Sequence, residues 1–311
     1  MPDPRLPLRP VPAPSVRPWA GSRLAAAEEH VGELWLCGPD SVVEVPGGDR
    51  TLDDLAAELG GALVGRRGMA LLGARFPLLT KLIDAADWLS LQVHPDDALA
   101  RDLYGEDAVG KAEAWLVLEA DPGAELVTGP ADGLADGALL ASIEAGTTSH
   151  EHCRRSRAVA GQTLLLQTGT LHAIGAGTFI YEIEQPSDLT FRISDWGRPT
   201  GRQLHRAEAM RAVDPARHAL PAGSGFGLDG GALEVPQFRL ELPDVTGGPV
   251  RREPGDESLE VVTALRGTLR LGGDGWSETL ATYETLVVPA AAAAYLVEGG
   301  PDSIAAVGRI P

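Results

Sequence analysis

Apolar and polar residues alternate over residues 89–94, Leu89-Ser90-Leu91-Gln92-Val93-His94, and the alternation stops at Pro95. Side chains two apart in a strand share a face, so Trp88, Ser90, Gln92 and His94 point one way and Leu89, Leu91 and Val93 the other. An amide and an imidazole on one face of an otherwise apolar strand need partners, because burying a polar group unpaired costs roughly 1–3 kcal/mol. A bound metal would supply them. Asp96 or Asp97 can cap a helix predicted over Asp97–Tyr104.

Most of the remaining pattern consists of short apolar runs between turns. Strands are predicted over residues 31–36, 113–119 and 178–183. Residues 161–172 should form a strand, a tight glycine turn and a histidine, His172. Helices are predicted over residues 51–59, with Thr51 as N-cap and Gly60-Gly61 at the end, and over 137–145 and 203–212. Residues 76–83 are a mostly apolar run that contains Lys81. In the last hundred residues, 259–271, 284–288 and 304–307 read as strands without a histidine. The predicted organisation is therefore a metal-binding domain over residues 1–217 and a second, degenerate domain without a metal site over 218–311. The Pro/Ala/Gly-rich stretch 214–223 serves as the linker. The fold class is mainly β, with a few short helices.

Net charge changes the picture of partners. At −18 the chain is unsuited to nucleic acid or to an anionic membrane surface, so no partner of either kind is expected. An anionic substrate would need a local basic pocket. Two cysteines, Cys37 and Cys153, do not make a disulfide framework, and a reducing cytoplasm is the expected location. Residues 1–18 contain seven prolines and no signal-peptide apolar core. Only Lys81 and Lys111 are lysine among 26 basic residues, so these two positions suggest work that a guanidinium cannot do.

Gln92, His94, Glu113 and His172 form a candidate ligand set: two imidazoles, one carboxylate and an amide oxygen, which is the weakest zinc donor of the four. The run His150-Glu151-His152-Cys153 competes by eye. Its neighbours Thr147-Thr148-Ser149 and Arg154-Arg155 suggest an exposed loop, in which adjacent residues point apart.

The spacing from Gly161 to His172, G-x5-Q-x-G-x2-H, resembles the second motif of cupin barrels, with Gln167 where proline is usual. A longer resemblance covers residues 18–213. It includes Pro18-Trp19-Ala20-Gly21, Phe76-Pro77-Leu78-Leu79-Thr80-Lys81, Leu91-Gln92-Val93-His94-Pro95-Asp96, Gly110-Lys111-Ala112-Glu113-Ala114-Trp115 and Tyr181-Glu182-Ile183-Glu184-Gln185-Pro186-Ser187-Asp188-Leu189-Thr190-Phe191-Arg192. In these motifs the chain resembles type I mannose-6-phosphate isomerases of the compact bacterial kind. Leu34, Leu36, Ala112 and Ile174 depart from that pattern and leave the pocket's detail open.

The resemblance implies two cupin-type jelly-roll barrels and one Zn2+ per chain on Gln92, His94, Glu113 and His172. It also implies interconversion of mannose 6-phosphate and fructose 6-phosphate through a cis-enediol. Catalytic roles would fall to Arg192, Lys111, Glu182 and Asp188, with Glu182 or Asp188 as the base. Substrate binding would involve Lys81, Ser90, Lys111 and Arg192, with Lys81 on the phosphate. The alternatives are a cupin isomerase of another phosphosugar, a metal-dependent dioxygenase, and a non-enzymatic sugar-phosphate-binding protein on the same fold. A monomer and a homodimer are equally compatible with the sequence.

Overall fold

The computed structural model describes residues 2–24, 30–199 and 201–311. Among these, no helix is long and apolar enough to cross a membrane. The chain is mainly β, as expected, and divides into two compact units. One comprises Pro14–Leu34 and Leu82–Gly225; the other comprises the N-terminal residues through Ala13, Trp35–Lys81 and Phe226–Pro311.

This division differs from the expected boundary at 217/218 in two ways. Within the stretch read as a linker, Leu220–Ser224 is a strand that pairs antiparallel with Thr163–Leu166. Residues 35–81 group with the C-terminal strands, and their helices explain why. Leu52–Leu59 has its predicted N-cap, with Thr51 Oγ1 accepting from Asp54 N at 3.0 Å. Gly61–Leu72, which follows it, has no counterpart in the sequence reading, because three glycines mask its periodicity. Those glycines permit close docking. The Ala62 and Leu63 carbonyls accept from Ala291 N and Ala290 N, both at 3.0 Å. Gly65, at φ +78°, lies so close to the backbone at Glu257 that a Cβ would come within 2.4 Å of the Glu257 carbonyl oxygen.

In the first unit, one sheet contains Leu79–Ala85, Thr178–Glu184, Glu113–Ala120, Thr163–Leu166 and Leu220–Ser224 in that spatial order. Facing it are the three strands Ala173–Ile174, Glu125–Pro130 and Cys153–Arg157, and the pair Phe191–Ser194 with Leu91–Val93. Trp115, Val117, Leu164 and Ile180 from the first layer pack with Leu126 and Ile174 from the second. The fold is of the cupin type, but the sheets do not close into a continuous barrel as expected. Among the described residues, the two smaller sheets are joined by the isolated bridge between Gln92 and His172 and by Leu89 N, which donates to the Ile174 carbonyl at 2.8 Å. That bridge sets the two residues side by side.

The C-terminal strands form a five-stranded sheet and a four-stranded sheet over one apolar core. The run read as a single strand over 259–271 is two, Glu260–Arg266 and Leu269–Gly273, turned at Gly267 with φ +69°. Val250–Arg252, Trp276–Leu280 and Tyr295–Gly299 were not anticipated, being short and alternating weakly.

The predicted turn before His172 is present. Gly169 has φ +83°, its N–H donates to the His94 carbonyl at 2.9 Å, and its carbonyl accepts from Asp214 N at 2.9 Å. A Cβ there would lie 3.0 Å from the Ala212 carbonyl oxygen. Gly169→Ala should therefore destabilise the fold by about 1–2 kcal/mol. Urea unfolding would read this as a lower midpoint; an unchanged midpoint would mean that the turn relaxes freely.

Candidate metal centre and anion pocket

His94 follows strand Leu91–Val93 and His172 precedes strand Ala173–Ile174. Each ring is oriented from behind by a backbone carbonyl. His94 Nδ1 donates to Leu189 O at 2.8 Å, and His172 Nδ1 donates to Thr170 O at 2.8 Å. With the proton on Nδ1, each Nε2 carries a lone pair. Both lone pairs face Glu113, which opens strand Glu113–Ala120: His94 Nε2 is 3.3 Å from Oε2, and His172 Nε2 is 3.3 Å from Oε1. All three side chains are buried.

Two lone pairs and a carboxylate repel one another; Lys111 Nζ beside His94 Nε2 and Gln92 Nε2 beside His172 Nε2 offset this in part, and a cation bound among the three would do so fully. Protonation of the imidazoles is disfavoured. Burial, then the Lys111 charge, pushes His94 down to about 3, and burial also lowers His172. Neither Glu113 oxygen has a hydrogen-bond partner of proper geometry. This donor set fits a divalent metal. Gln92 is alongside, its Nε2 3.2 Å from His172 Nε2.

Lys111 completes the cluster. Its Nζ is 3.2 Å from Glu113 Oε2, 2.8 Å from Glu184 Oε2 and 3.4 Å from His94 Nε2. Burial opposes its charge, but Glu184, Glu113 and Glu182 hold its pKa well above the usual lysine range. Burial likewise opposes the Glu113 charge, and Lys111 with the two imidazoles holds that carboxyl well below the usual range. Glu182 is buried and accepts from Trp115 Nε1 at 2.8 Å. Glu113, Glu182 and Glu184 place their oxygens within 4.8 Å of one another. Three carboxylates against one ammonium leave two negative charges, which a divalent cation would neutralise.

The segment bearing Lys111 and Glu113 is clamped by a polar network. Gly110 N donates to Asp97 Oδ1 at 2.7 Å, and Ala112 N donates to Gln185 Oε1 at 2.9 Å. Gln185 Nε2 closes the network on Asp97 Oδ1 at 3.0 Å. Nothing in the local pattern distinguished Gln185 from its neighbours.

A second cluster has the opposite sign. Arg192 faces Gln92 across the strand pair. Its Nε donates to Ser90 Oγ at 3.0 Å, as does Arg202 Nη1 at 3.0 Å. Ser90 Oγ donates onward to Asp195 Oδ1 at 2.6 Å, which also accepts from Arg198 Nη2 at 2.6 Å. Arg17 lies close enough to act on both Arg192 and Arg202 and is paired with Glu33 at 3.0 Å. Burial, then the charge of Arg202, lowers the Arg192 pKa; burial also lowers that of Arg202. Four guanidiniums against Asp195, Glu33 and Asp87, which Arg198 Nη1 reaches at 3.3 Å, leave one positive charge, suited to an anion such as a phosphate monoester. Arg198 and Arg202 escaped the sequence reading, because arginine is common throughout this chain and these two lie in a loop.

The structure thus brings together Ser90, Gln92, His94, Lys111, Glu113, His172, Glu182 and Arg192. The other two expected residues are Asp188 and Lys81. Asp188 is exposed. Lys81 lies in the strand Leu79–Ala85 and is buried, with its Nζ 5.0 Å from the ring centroid of Trp35. The run from His150 to Cys153 is not a ligand cluster among the described residues. His150 stacks on Trp196 with centroids 4.0 Å apart, and His152 Nδ1 accepts from Ser149 N at 3.2 Å.

Residues 17–113 match the family model described as phosphomannose isomerase type I, catalytic domain. Mannose-6-phosphate isomerase of Streptococcus mutans is 31% identical over 306 residues, covering 92% of this chain and 93% of that protein. The chain belongs to the type I phosphomannose isomerase family. The crystal structure of the Bacillus subtilis mannose 6-phosphate isomerase superposes with a TM-score of 0.78 at 24% identity, covering 97% of this chain and 99% of that one. A zinc-bound holo structure of mannose 6-phosphate isomerase gives 0.74 at 16% identity, covering 97% and 98%. At these identities the structures establish the shared fold.

Two measurements check the geometry. The neutral histidines are favoured by folding, so their contribution to stability is fully present above the ordinary value of 6.5 and is lost as pH falls toward the His94 value of about 3. Metal-free protein should therefore lose up to roughly 1.4 kcal/mol per pH unit across that window through His94, with His172 acting in the same direction. In denaturant titrations at several pH values, His94→Gln should flatten the slope. Gln185→Ala, by loosening the clamp, should weaken metal binding by about 10–100-fold while leaving the protein folded. Competition with a chromophoric chelator measures this, and unchanged affinity would make the clamp merely structural.

Proposed function

We propose that the chain interconverts mannose 6-phosphate and fructose 6-phosphate in the cytoplasm, with one zinc ion per chain held by His94, Glu113, His172 and the amide oxygen of Gln92. The single observation that carries this reading is the adjacency of the two clusters. A centre needing a divalent cation and a pocket suited to a phosphate dianion meet at the Gln92–Arg192 pair. The buried free thiols Cys37 and Cys153 suit a reducing compartment. A bound zinc would polarise the O1 and O2 oxygens of the open-chain sugar as a Lewis acid.

The residues of the chain divide the remaining work. Glu182 is the general base, favoured over Asp188 because it is buried beside the ligand cluster and oriented by Trp115 Nε1. It takes the C2 proton and returns it to C1 on the same side of the enediol. Lys111, its charge held by Glu184 and Glu113, hydrogen-bonds O1 and O2 while the hydroxyl proton passes from O2 to O1, so the enediol forms and collapses without net change of charge. Arg192, opposite Gln92, steadies negative charge developing on those oxygens. Arg202 and Arg198, with Ser90, hold the phosphate. This role was expected of Lys81, whose Nζ lies 5.0 Å from the Trp35 ring centroid.

A coupled assay for fructose 6-phosphate should show activity that a chelator removes and zinc restores. Glu182→Gln should lower kcat by about 10²–10⁴-fold with zinc content unchanged. Arg202→Ala should chiefly raise KM. No turnover by zinc-replete protein would refute the substrate assignment; a Glu182→Gln enzyme of full activity would return the base role to Asp188.

A further inference from the structure

The C-terminal unit repeats the register of the candidate metal centre with different side chains. In the first unit, Glu113 opens its strand and is paired with Glu184 on one neighbour and Leu166 on the other. In the second, Glu260 opens Glu260–Arg266 and is paired with Arg309 on one neighbour and Val288 on the other. Gln92 bridges to His172, and Arg252 pairs with Tyr295. The order along the chain is the same: Gln92, Glu113, Leu166, His172 and Glu184 against Arg252, Glu260, Val288, Tyr295 and Arg309. His172 comes six residues after Leu166, and Tyr295 seven after Val288. Pro254 stands two residues after Arg252, as His94 does after Gln92.

The side chains at these matched positions also converge. Glu260 is 1% exposed. It accepts from Arg252 Nη2 at 2.5 Å and from Tyr295 OH at 2.5 Å, and Arg309 Nη1 lies 3.7 Å away. Arg252 Nη1 also reaches Glu241 Oε2 at 2.5 Å. In the first unit, imidazole lone pairs surround the carboxylate and excess negative charge remains. In the second, a phenol donates where an imidazole would accept, and a guanidinium supplies the positive charge from within the chain.

We infer that Arg252 takes in the C-terminal unit the place of the metal ion in the first, so this unit carries a permanently charged, protein-supplied counterpart of the centre and binds no metal. The inference rests on reading the first site as a metal centre. A buried carboxylate in this fold needs a central cation, and a guanidinium fills that need without depending on metal supply.

The test restores the ligands. The triple variant Arg252→Gln, Pro254→His, Tyr295→His, with Glu260 kept, recreates the Gln/His/Glu/His set at the matched positions. Zinc per chain is measured by elemental analysis after equilibrium dialysis, with circular dichroism as the check on folding. The parent should hold one zinc and the variant two. A folded variant that holds one zinc, as the parent does, would overturn the inference. A parent that holds none would instead overturn the reading of the first site. Should the triple variant fail to fold, a double-mutant cycle on the full chain decides. With Arg252 as the central cation, Glu260→Gln should cost less than about half as much in an Arg252→Gln background as in the parent. Additive costs would overturn the inference.

Discussion

Two imidazole lone pairs and one carboxylate are forced into a space where no proton can be shared between them. The tautomers are set by the Leu189 and Thr170 carbonyls, burial keeps the rings neutral, and the Glu113 carboxylate is held ionised by Lys111. Left alone, such an arrangement is electrostatically unfavourable, and the strands that impose it must be stable for other reasons. The apolar layers around Trp115, Leu164 and Ile180 provide that stability. The site is in this sense imposed on the fold by hydrophobic packing rather than assembled by its own attractions.

The arginine pocket has the same character with the sign reversed. Burial, then the charge of Arg202, lowers the affinity of Arg192 for protons, and both guanidiniums share Ser90 as acceptor. Negative excess on one side of the Gln92–Arg192 pair and positive excess on the other make a field that orients a ligand with an anionic end and neutral oxygens. Such preorganisation costs stability in the free protein and is recovered when the ligand binds. The chain as a whole carries a net charge of −18, so selectivity for anions is local.

What the sequence revealed was what lay in short, periodic segments. The alternation around Gln92 and His94, the glycine turn before His172 and the cap at Thr51 are decided by neighbours within a few residues, and all three appear in the structure. Strand parity placed Glu182 and Asp188 on one face; only burial separated them. Arg202 and Arg198 lie in a loop, where no period marks a side chain's direction. The grouping of residues 35–81 with the C-terminal strands depends on the docking of Gly65 against Glu257, a contact across nearly two hundred residues that no local pattern records. Barrel closure failed as an expectation for the same reason, since sheet continuity is a property of pairings and not of strands.

The orientation of both imidazoles by backbone carbonyls has a consequence for how this site can change over evolutionary time. A supporting side chain can be lost by a single substitution, whereas the carbonyls of Leu189 and Thr170 are present whatever residue occupies those positions. The outer support of the centre is therefore invisible to the genetic code at the positions that provide it, and neutral drift there can continue without touching the chemistry. What selection can see instead is the path of the two loops, and through it the glycines, prolines and turn residues that fix where those carbonyls point.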